Sequence, residues 1–325
     1  MPVLKKITTV ASVVLLSALT ACGSGGGGGT APSSGGGTIT MGFAQVGAES
    51  GWRTANTKSI QDEAKAAGID LKFSDAQQKQ ENQIKAIRSY IQQKVSVIAF
   101  SPVVETGWDT VLLEAKRANI PVILTDRSID SDDTSLYKTF LGSDFVEEGR
   151  RAGDWLVANT SGPTTVVELQ GTTGAAPAND RKKGFEEKIA AKPDIKVVAS
   201  QTGDFTRSGG KQVMEAFLKS QPKIDVVYAH NDDMGLGAIE AIKAAGKVPG
   251  KDIKIITVDA VKDGMTALAN GEINFIVECN PLLGKQLMDL AKKVVAGEDV
   301  PARVVTEEGT FTQEQAKTAL PQRQY

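Results

Sequence analysis

The chain has 325 residues, room for two domains at roughly 100–200 residues each, and its composition, 41% apolar and 23% charged, is that of a globular protein with a sizeable core. A net charge of −2 at pH 7 offers no polycationic face and argues against nucleic acid as a partner. Two cysteines, Cys22 and Cys279, are too few for a disulfide framework, and a single histidine, His230, rules out a multi-histidine metal site.

The first 22 residues, MPVLKKITTVASVVLLSALTAC, read as a leader: Lys5 and Lys6, an apolar stretch too short for a comfortable membrane span, then small residues. LTAC has the form of a bacterial lipobox, which makes residues 1–21 a signal peptide and Cys22 a lipidated first residue. Losing Lys5 and Lys6 leaves 35 basic against 39 acidic residues, a mature net charge of −4. Residues 22–37 are a Gly/Ser-rich tether with nothing to bury. The expectation is a module held outside the cytoplasmic membrane by its lipid, with Cys279 left as a lone buried thiol.

From Thr38 the pattern alternates short apolar runs with amphipathic helical segments. The runs are ITMGFA, IDLKFS, VSVIAFS, IPVILTD, TTVVELQ, IKVVASQ, DVVYAHN, IKIITVD and INFIVEC. Most are apolar throughout, as parallel strands covered on both faces require. Seven helical segments lie between them: TKSIQDEAKAAG, NQIKAIRSYIQQK, TVLLEAKRA, EGRRAGDWLVA, KKGFEEKIAAK, GKQVMEAFLKS and MGLGAIEAIKAAG. Strand–helix repetition on this scale predicts an α/β fold with parallel sheets, and about ten strands exceed what one small sheet holds. Two similar lobes are therefore expected, the first taking four βα units up to about Ser143.

Open parallel sheets bind ligands beyond the carboxyl ends of their strands. Past the first run come Glu49, Ser50, Gly51, Trp52 and Arg53, and past the fourth come Asp126 and Arg127. In the second half the corresponding positions hold Asp180 and Arg181, then Asp204, Phe205 and Arg207, then Asn231, and finally Asp259. Carboxylates, amides, guanidinium groups and aromatic rings at one end of two sheets suit a small uncharged polyol: acids and amides bridge hydroxyls, arginine offers a fixed fork of donors, and rings cover C–H faces. Each also has a plainer reading. Ser50, Asp126 or Asn231 would serve as a helix cap, Asp180 with Arg181 as a solvated pair, and His230 as a packing residue at a strand end.

Enzymatic signatures are sparse. The sequence has no Walker A motif, no G-x-G-x-x-G after the first strand and no G-x-S-x-G elbow. Glycoside hydrolysis needs two facing carboxylates, which Glu49, Asp126 and Asp259 offer on paper.

The motifs GFAQVGAESGWR, DAQQKQENQIKAIRSYI, PVVETGWDTVLLEAK, DRSID, GDWLV, VVELQG, DRKKGFEE, GDFTRSGGK and YAHNDDMGLGAIEAIK, spread from about Ile39 past Leu287, resemble the periplasmic sugar-binding proteins of ribose/galactose type that feed ABC transporters, with most likeness to the galactofuranose-type branch. The resemblance implies a type I periplasmic-binding-protein fold, two Rossmann-like lobes joined by a three-segment hinge. It divides the chain into residues 38–143 plus about 281–305 and residues 144–280 plus about 306–325. It implies sugar contacts at Glu49, Ser50, Gly51, Trp52, Arg53, Asp126, Arg127, Arg181, Asn231 and Asp259, with Phe205 stacking on the ring. Two positions depart from the pattern: Ala260 stands where relatives commonly have glycine, and Cys279 where several pyranose binders have glutamine. The function implied is a monomeric solute-binding lipoprotein, tethered on the outer face of the membrane through Cys22, that hands a monosaccharide to a membrane permease without cofactor or metal. A sugar-sensing receptor module and a carbohydrate-active enzyme are the alternatives.

Overall fold

The computed structural model describes residues 37–325; the leader, the lipobox at Cys22 and nearly all of the tether lie outside the described residues. All nine apolar runs form strands: β1 (Thr40–Gln45), β2 (Asp70–Asp75), β3 (Val97–Phe100), β4 (Val122–Thr125), β6 (Thr164–Gln170), β7 (Ile195–Thr202), β8 (Val226–Ala229), β9 (Lys254–Asp259) and β10 (Phe275–Glu278). Three further strands were not anticipated: β5 (Thr139–Gly142), which follows β4 through a 3-10 turn rather than an α-helix, β11 (Arg303–Val305) and β12 (Thr310–Phe311).

The strands make two six-stranded sheets, in the orders β11-β5-β4-β3-β1-β2 and β12-β10-β9-β8-β6-β7. Each is parallel apart from β12, which runs antiparallel to β10. The two orders are the same doubly wound pattern repeated. The chain passes between the sheets three times, after β5, after β10 and after β11.

Seven anticipated helices are present: α1 (Gly51–Ala66), α2 (Gln80–Gln92), α3 (Asp109–Arg117), α4 (Phe145–Ala158), α5 (Ala176–Ile189), α6 (Arg207–Ser220) and α7 (Asp232–Ala244). Beyond these are α8 (Lys262–Ala269), α9 (Gly284–Ala296) and α10 (Gln313–Ala319). Alternation along the strands divides the apolar side chains between the two faces of each sheet. In the first sheet Met41, Phe43, Val97 and Ile123 face α1 and α9, while Ile98, Phe100, Val122 and Leu124 face α2 and α3. In the second, Val167, Val227 and Ile255 face α6, α7 and α8, while Val166, Tyr228, Ile256 and Val277 face α4 and α5. Burial on both faces is why these strands read as continuous apolar runs. No described helix is long and apolar enough to cross a membrane.

One carboxylate ties the three crossings together. Glu308, after β11, accepts from the Asn280 N–H at 2.9 Å, from Thr306 Oγ1 at 2.8 Å and from the Ser143 hydroxyl. Ser143 Oγ also lies 3.3 Å from Cys279 Sγ. One shared acceptor thus links the three crossings.

Candidate functional site

The carboxyl ends of the two sheets face each other across a cavity. Glu49, Ser50, Trp52, Arg53, Asp126 and Arg127 line it from the first lobe, and Arg181, Phe205, Asn231 and Asp259 from the second. Ten of the eleven positions anticipated for the cleft are thus brought together. Gly51 is not among the lining residues; its N–H donates to Asp233 Oδ2 at 2.8 Å. Pro177 and Cys279 complete the wall.

The first-lobe half is a lattice of opposite charges. Arg53 Nε donates to Glu49 Oε1 at 3.0 Å, its Nη2 pairs with Asp126 Oδ2 at 2.7 Å, and its Nη1 donates to Gln45 Oε1 at 3.1 Å. Ser101 Oγ donates to Asp126 Oδ2 at 2.9 Å. Arg127 Nη1 donates to the Val103 carbonyl at 3.1 Å, and Arg127 lies within 3.8 Å of Glu49 and 3.7 Å of Asp126. Two carboxylates and two guanidinium groups balance. Burial opposes the charge on Arg53, but Asp126 and Glu49 outweigh it and raise its pKa. Burial, with Arg53 close by, brings Arg127 down to about 10.

The second-lobe half is built around one cation. Arg181 Nε donates to Glu148 Oε2 at 2.7 Å, Nη1 donates to the His230 carbonyl at 2.6 Å, and Nη2 lies 3.9 Å from Asp259 Oδ1. Its partner is therefore Glu148, reached from α4, and not the neighbouring Asp180, so the solvated-pair reading falls. Burial pushes Glu148 up to about 8 although Arg181 pulls the other way. Asp259 is raised well above the usual carboxylate range by burial, against the opposing pull of Arg181 and with Asp232 and Glu148 pushing the same way as burial. Burial likewise raises the Cys279 thiol.

The cap readings divide. Ser50 caps α1, its Oγ accepting from the Arg53 N–H at 3.1 Å, and Asn231 caps α7, accepting from the Met234 N–H at 3.0 Å. Both line the cavity as well, so capping and lining coexist. Asp126 caps no helix: it sits at φ +63° with its carboxylate among the arginines. His230 is fully buried, its Nε2 3.1 Å from Glu168, a packing role as expected.

Aromatic groups cross between the lobes. Trp52, on α1, packs into the apolar cluster of the second lobe and donates from Nε1 to the Cys279 carbonyl at 2.7 Å. Arg127 lies over the Phe205 ring at 5.2 Å. Phe205 is itself at φ +60°, and its ring occupies the space where a Cβ on Gly171 would come within 1.9 Å. The lobes also touch at the rims, where Asp233 meets Gly51, Asn179 Nδ2 donates to Glu105 Oε2 at 2.6 Å and the Glu105 N–H donates to the Gly174 carbonyl at 2.9 Å.

Three buried polar atoms of lining residues have no hydrogen-bond partner: Glu49 Oε2, Arg127 Nε and Asp259 Oδ2. Each such atom costs about 1–3 kcal/mol when left unsatisfied. Two acceptors and one donor on one cavity ask for a ligand that both donates and accepts, which hydroxyl groups do.

Residues 41–299 match the model of the periplasmic binding protein domain. The galactofuranose-binding protein YtfQ of Escherichia coli (strain K12) is 52% identical over 277 residues, covering 84% of this chain and 87% of that one. A Mycobacterium smegmatis crystal structure in complex with β-D-fucofuranose is 69% identical, with a TM-score of 0.87 over 89% of this chain and 96% of the other. The periplasmic component of the arabinose ABC transporter of Shewanella sp. ANA-3, bound to α- and β-L-arabinofuranose, is 52% identical, with a TM-score of 0.86 over 88% and 96%.

Proposed function

The chain belongs to the periplasmic binding protein family, and on that premise we propose that it is the solute-binding lipoprotein of a sugar ABC importer. Its ligand is one neutral monosaccharide, in furanose form, held between the lobes. The observation that carries this reading is the convergence of Glu49 Oε2, Arg127 Nε and Asp259 Oδ2, unpartnered and buried, on one cavity from both lobes. The charge balance of Glu49, Arg53, Asp126 and Arg127 favours an uncharged ligand, because an ion would upset pairs already made. Galactofuranose, fucofuranose and arabinofuranose binding by the relatives supports the furanose class.

In this reading the lobes are residues 38–143 plus about 281–305 and residues 144–280 plus about 306–325. Sugar hydroxyls donate to Glu49 and Asp259 and accept from Arg127 and Arg181; Trp52 and Phe205 cover the ring. Only the closed arrangement makes both sets of contacts, so sugar shifts the hinge equilibrium toward closure, the form presented to the permease. The leader and Cys22 place the protein on the outer face of the cytoplasmic membrane through a lipid. The role is binding and delivery rather than catalysis.

The test is a thermal-shift and calorimetric panel of galactose, fucose, arabinose, ribose and xylose. At a hundredfold excess over the dissociation constant a true ligand adds about 2.7 kcal/mol of apparent stability. Arg127→Ala should lower affinity for the sugar so found by more than about a hundredfold, since it leaves Glu49 and Asp126 short of a partner. A panel in which no sugar shifts melting, or an Arg127→Ala variant that binds as the parent does, rejects the assignment.

A further inference from the structure

The loop that presents Asp259 is held in an unfavourable backbone conformation by a residue outside the cleft. Asp259 has φ +126° and Ala260 φ +66°, two successive non-glycine residues in the region that side chains disfavour. Nothing in the side chain of alanine favours φ > 0, so surrounding bonds must impose it. Three do. The Cys279 N–H donates to the Asp259 carbonyl at 3.2 Å, and Asp232 Oδ2 accepts from the Val261 N–H at 2.8 Å. Arg323 Nε donates to the Ala260 carbonyl at 2.6 Å.

Arg323 is suited to this by its shape. The same guanidinium donates from Nη1 to Glu278 Oε1 at 2.6 Å and lies 4.0 Å from the Tyr325 ring and 5.3 Å from the Phe311 ring. Glu278 in turn accepts from Tyr325 Oη at 3.0 Å and, through Oε2, from the Gly309 N–H at 2.9 Å. Arg323 therefore links the strained turn after β9 to the end of β10, the residue immediately before the hinge crossing at Cys279. The planar fork makes both bonds at once; an ammonium on a flexible stem would not reproduce that geometry. Arg323 is not among the residues that line the cavity.

We propose that Arg323 is a positioning residue for sugar binding: by fixing the Ala260 carbonyl it holds the Asp259–Ala260 turn at positive φ and so keeps the Asp259 carboxylate at the cavity wall. The inference rests on the reading of Asp259 as a sugar contact. Without Arg323, Ala260 relaxes toward negative φ, the peptide between residues 259 and 260 rotates, and the carboxylate leaves its place. Glycine at 260 adopts φ > 0 without strain and needs no such restraint.

Calorimetric titration of the full chain with D-galactose separates the outcomes, using R323A, R323A/A260G, R323K and D259N. R323A should weaken binding about tenfold, R323K should recover little, and R323A/A260G should recover most of the loss. Relief by A260G is what simple loss of tail packing would not give, because the Glu278, Phe311 and Tyr325 contacts stay broken in the double variant. R323A within twofold of the parent while D259N loses binding overturns the positioning role alone, as does a double variant no better than R323A. D259N binding as the parent does overturns the reading of Asp259 beneath it.

Discussion

The two halves of the cleft solve the same problem with different electrostatics. In the first lobe, Glu49 and Asp126 face Arg53 and Arg127, and each charge has an opposite charge beside it. In the second, Arg181 alone faces Glu148, Asp259 and the Cys279 thiol. The balanced lattice matches its charges, yet Glu49 Oε2 and Arg127 Nε are left without hydrogen-bond partners. In the second half burial lifts the carboxyl pKa values of Glu148 and Asp259, and neighbouring acids add to it. The first half is thus balanced in charge, and the second sets one cation among several acids.

The sharpest way to break this contrast is to remove the central arginine of the second half. Arg181→Met should abolish sugar binding and destabilise the sugar-free protein by about 3–5 kcal/mol at pH 8, because it strands buried acids. At pH 5 the loss should be clearly smaller, since Glu148, raised to about 8, is then neutral. Denaturant unfolding of Arg181→Met at the two pH values checks this, and equal losses at both would erase the asymmetry.

A smaller effect follows from the acids themselves. Glu148, raised to about 8, and Asp232, raised to about 7 chiefly by burial, have folded values above those of an unfolded chain. Their contribution to stability is therefore complete below the ordinary carboxylate range and is lost as pH rises through 7 and 8. Melting temperature of the sugar-free protein should fall between pH 5 and pH 8.5, and Glu148→Gln should flatten that slope. A parent whose melting temperature rises over this window has the opposite linkage.

The smallest effect concerns the rim. Asp233, from α7, accepts from the first N–H of α1 and so caps a first-lobe helix from the second lobe. Asp233→Asn should cost about 0.5–1.5 kcal/mol of sugar affinity by weakening closure alone, with the same ranking of sugars as the parent. A changed ranking, read by calorimetry across the panel, would mean that Asp233 acts within the cleft.

Much of this architecture was legible in the sequence, and the omissions have physical causes. Apolar runs announced nine strands, most of them buried on both faces and so without a polar face, while β2 and β7, at the sheet edges, are only partly buried. β11 and β12, of three and two residues, carry too little pattern to stand out. The periodicity of α9, with Leu287, Met288, Leu290 and Ala291 buried on one side, was present but passed over. Strand ends disclosed ten lining residues, since in an open sheet that is where side chains meet a ligand. Glu148 escaped because its partner lies 33 positions away and only the packing of α4 on α5 joins them. Arg323 escaped for the same reason, being brought 63 positions back to Ala260 by the tertiary fold.

The central claim, that both lobes close on one neutral sugar, is tested most directly by a crystal structure of the protein grown with the monosaccharide that raises its melting temperature most. The account predicts that sugar between the lobes, with hydroxyl groups bonded to Glu49 Oε2, Arg127 Nε and Asp259 Oδ2. A sugar bound outside this cleft, or one within it that leaves those three atoms without partners, would contradict it.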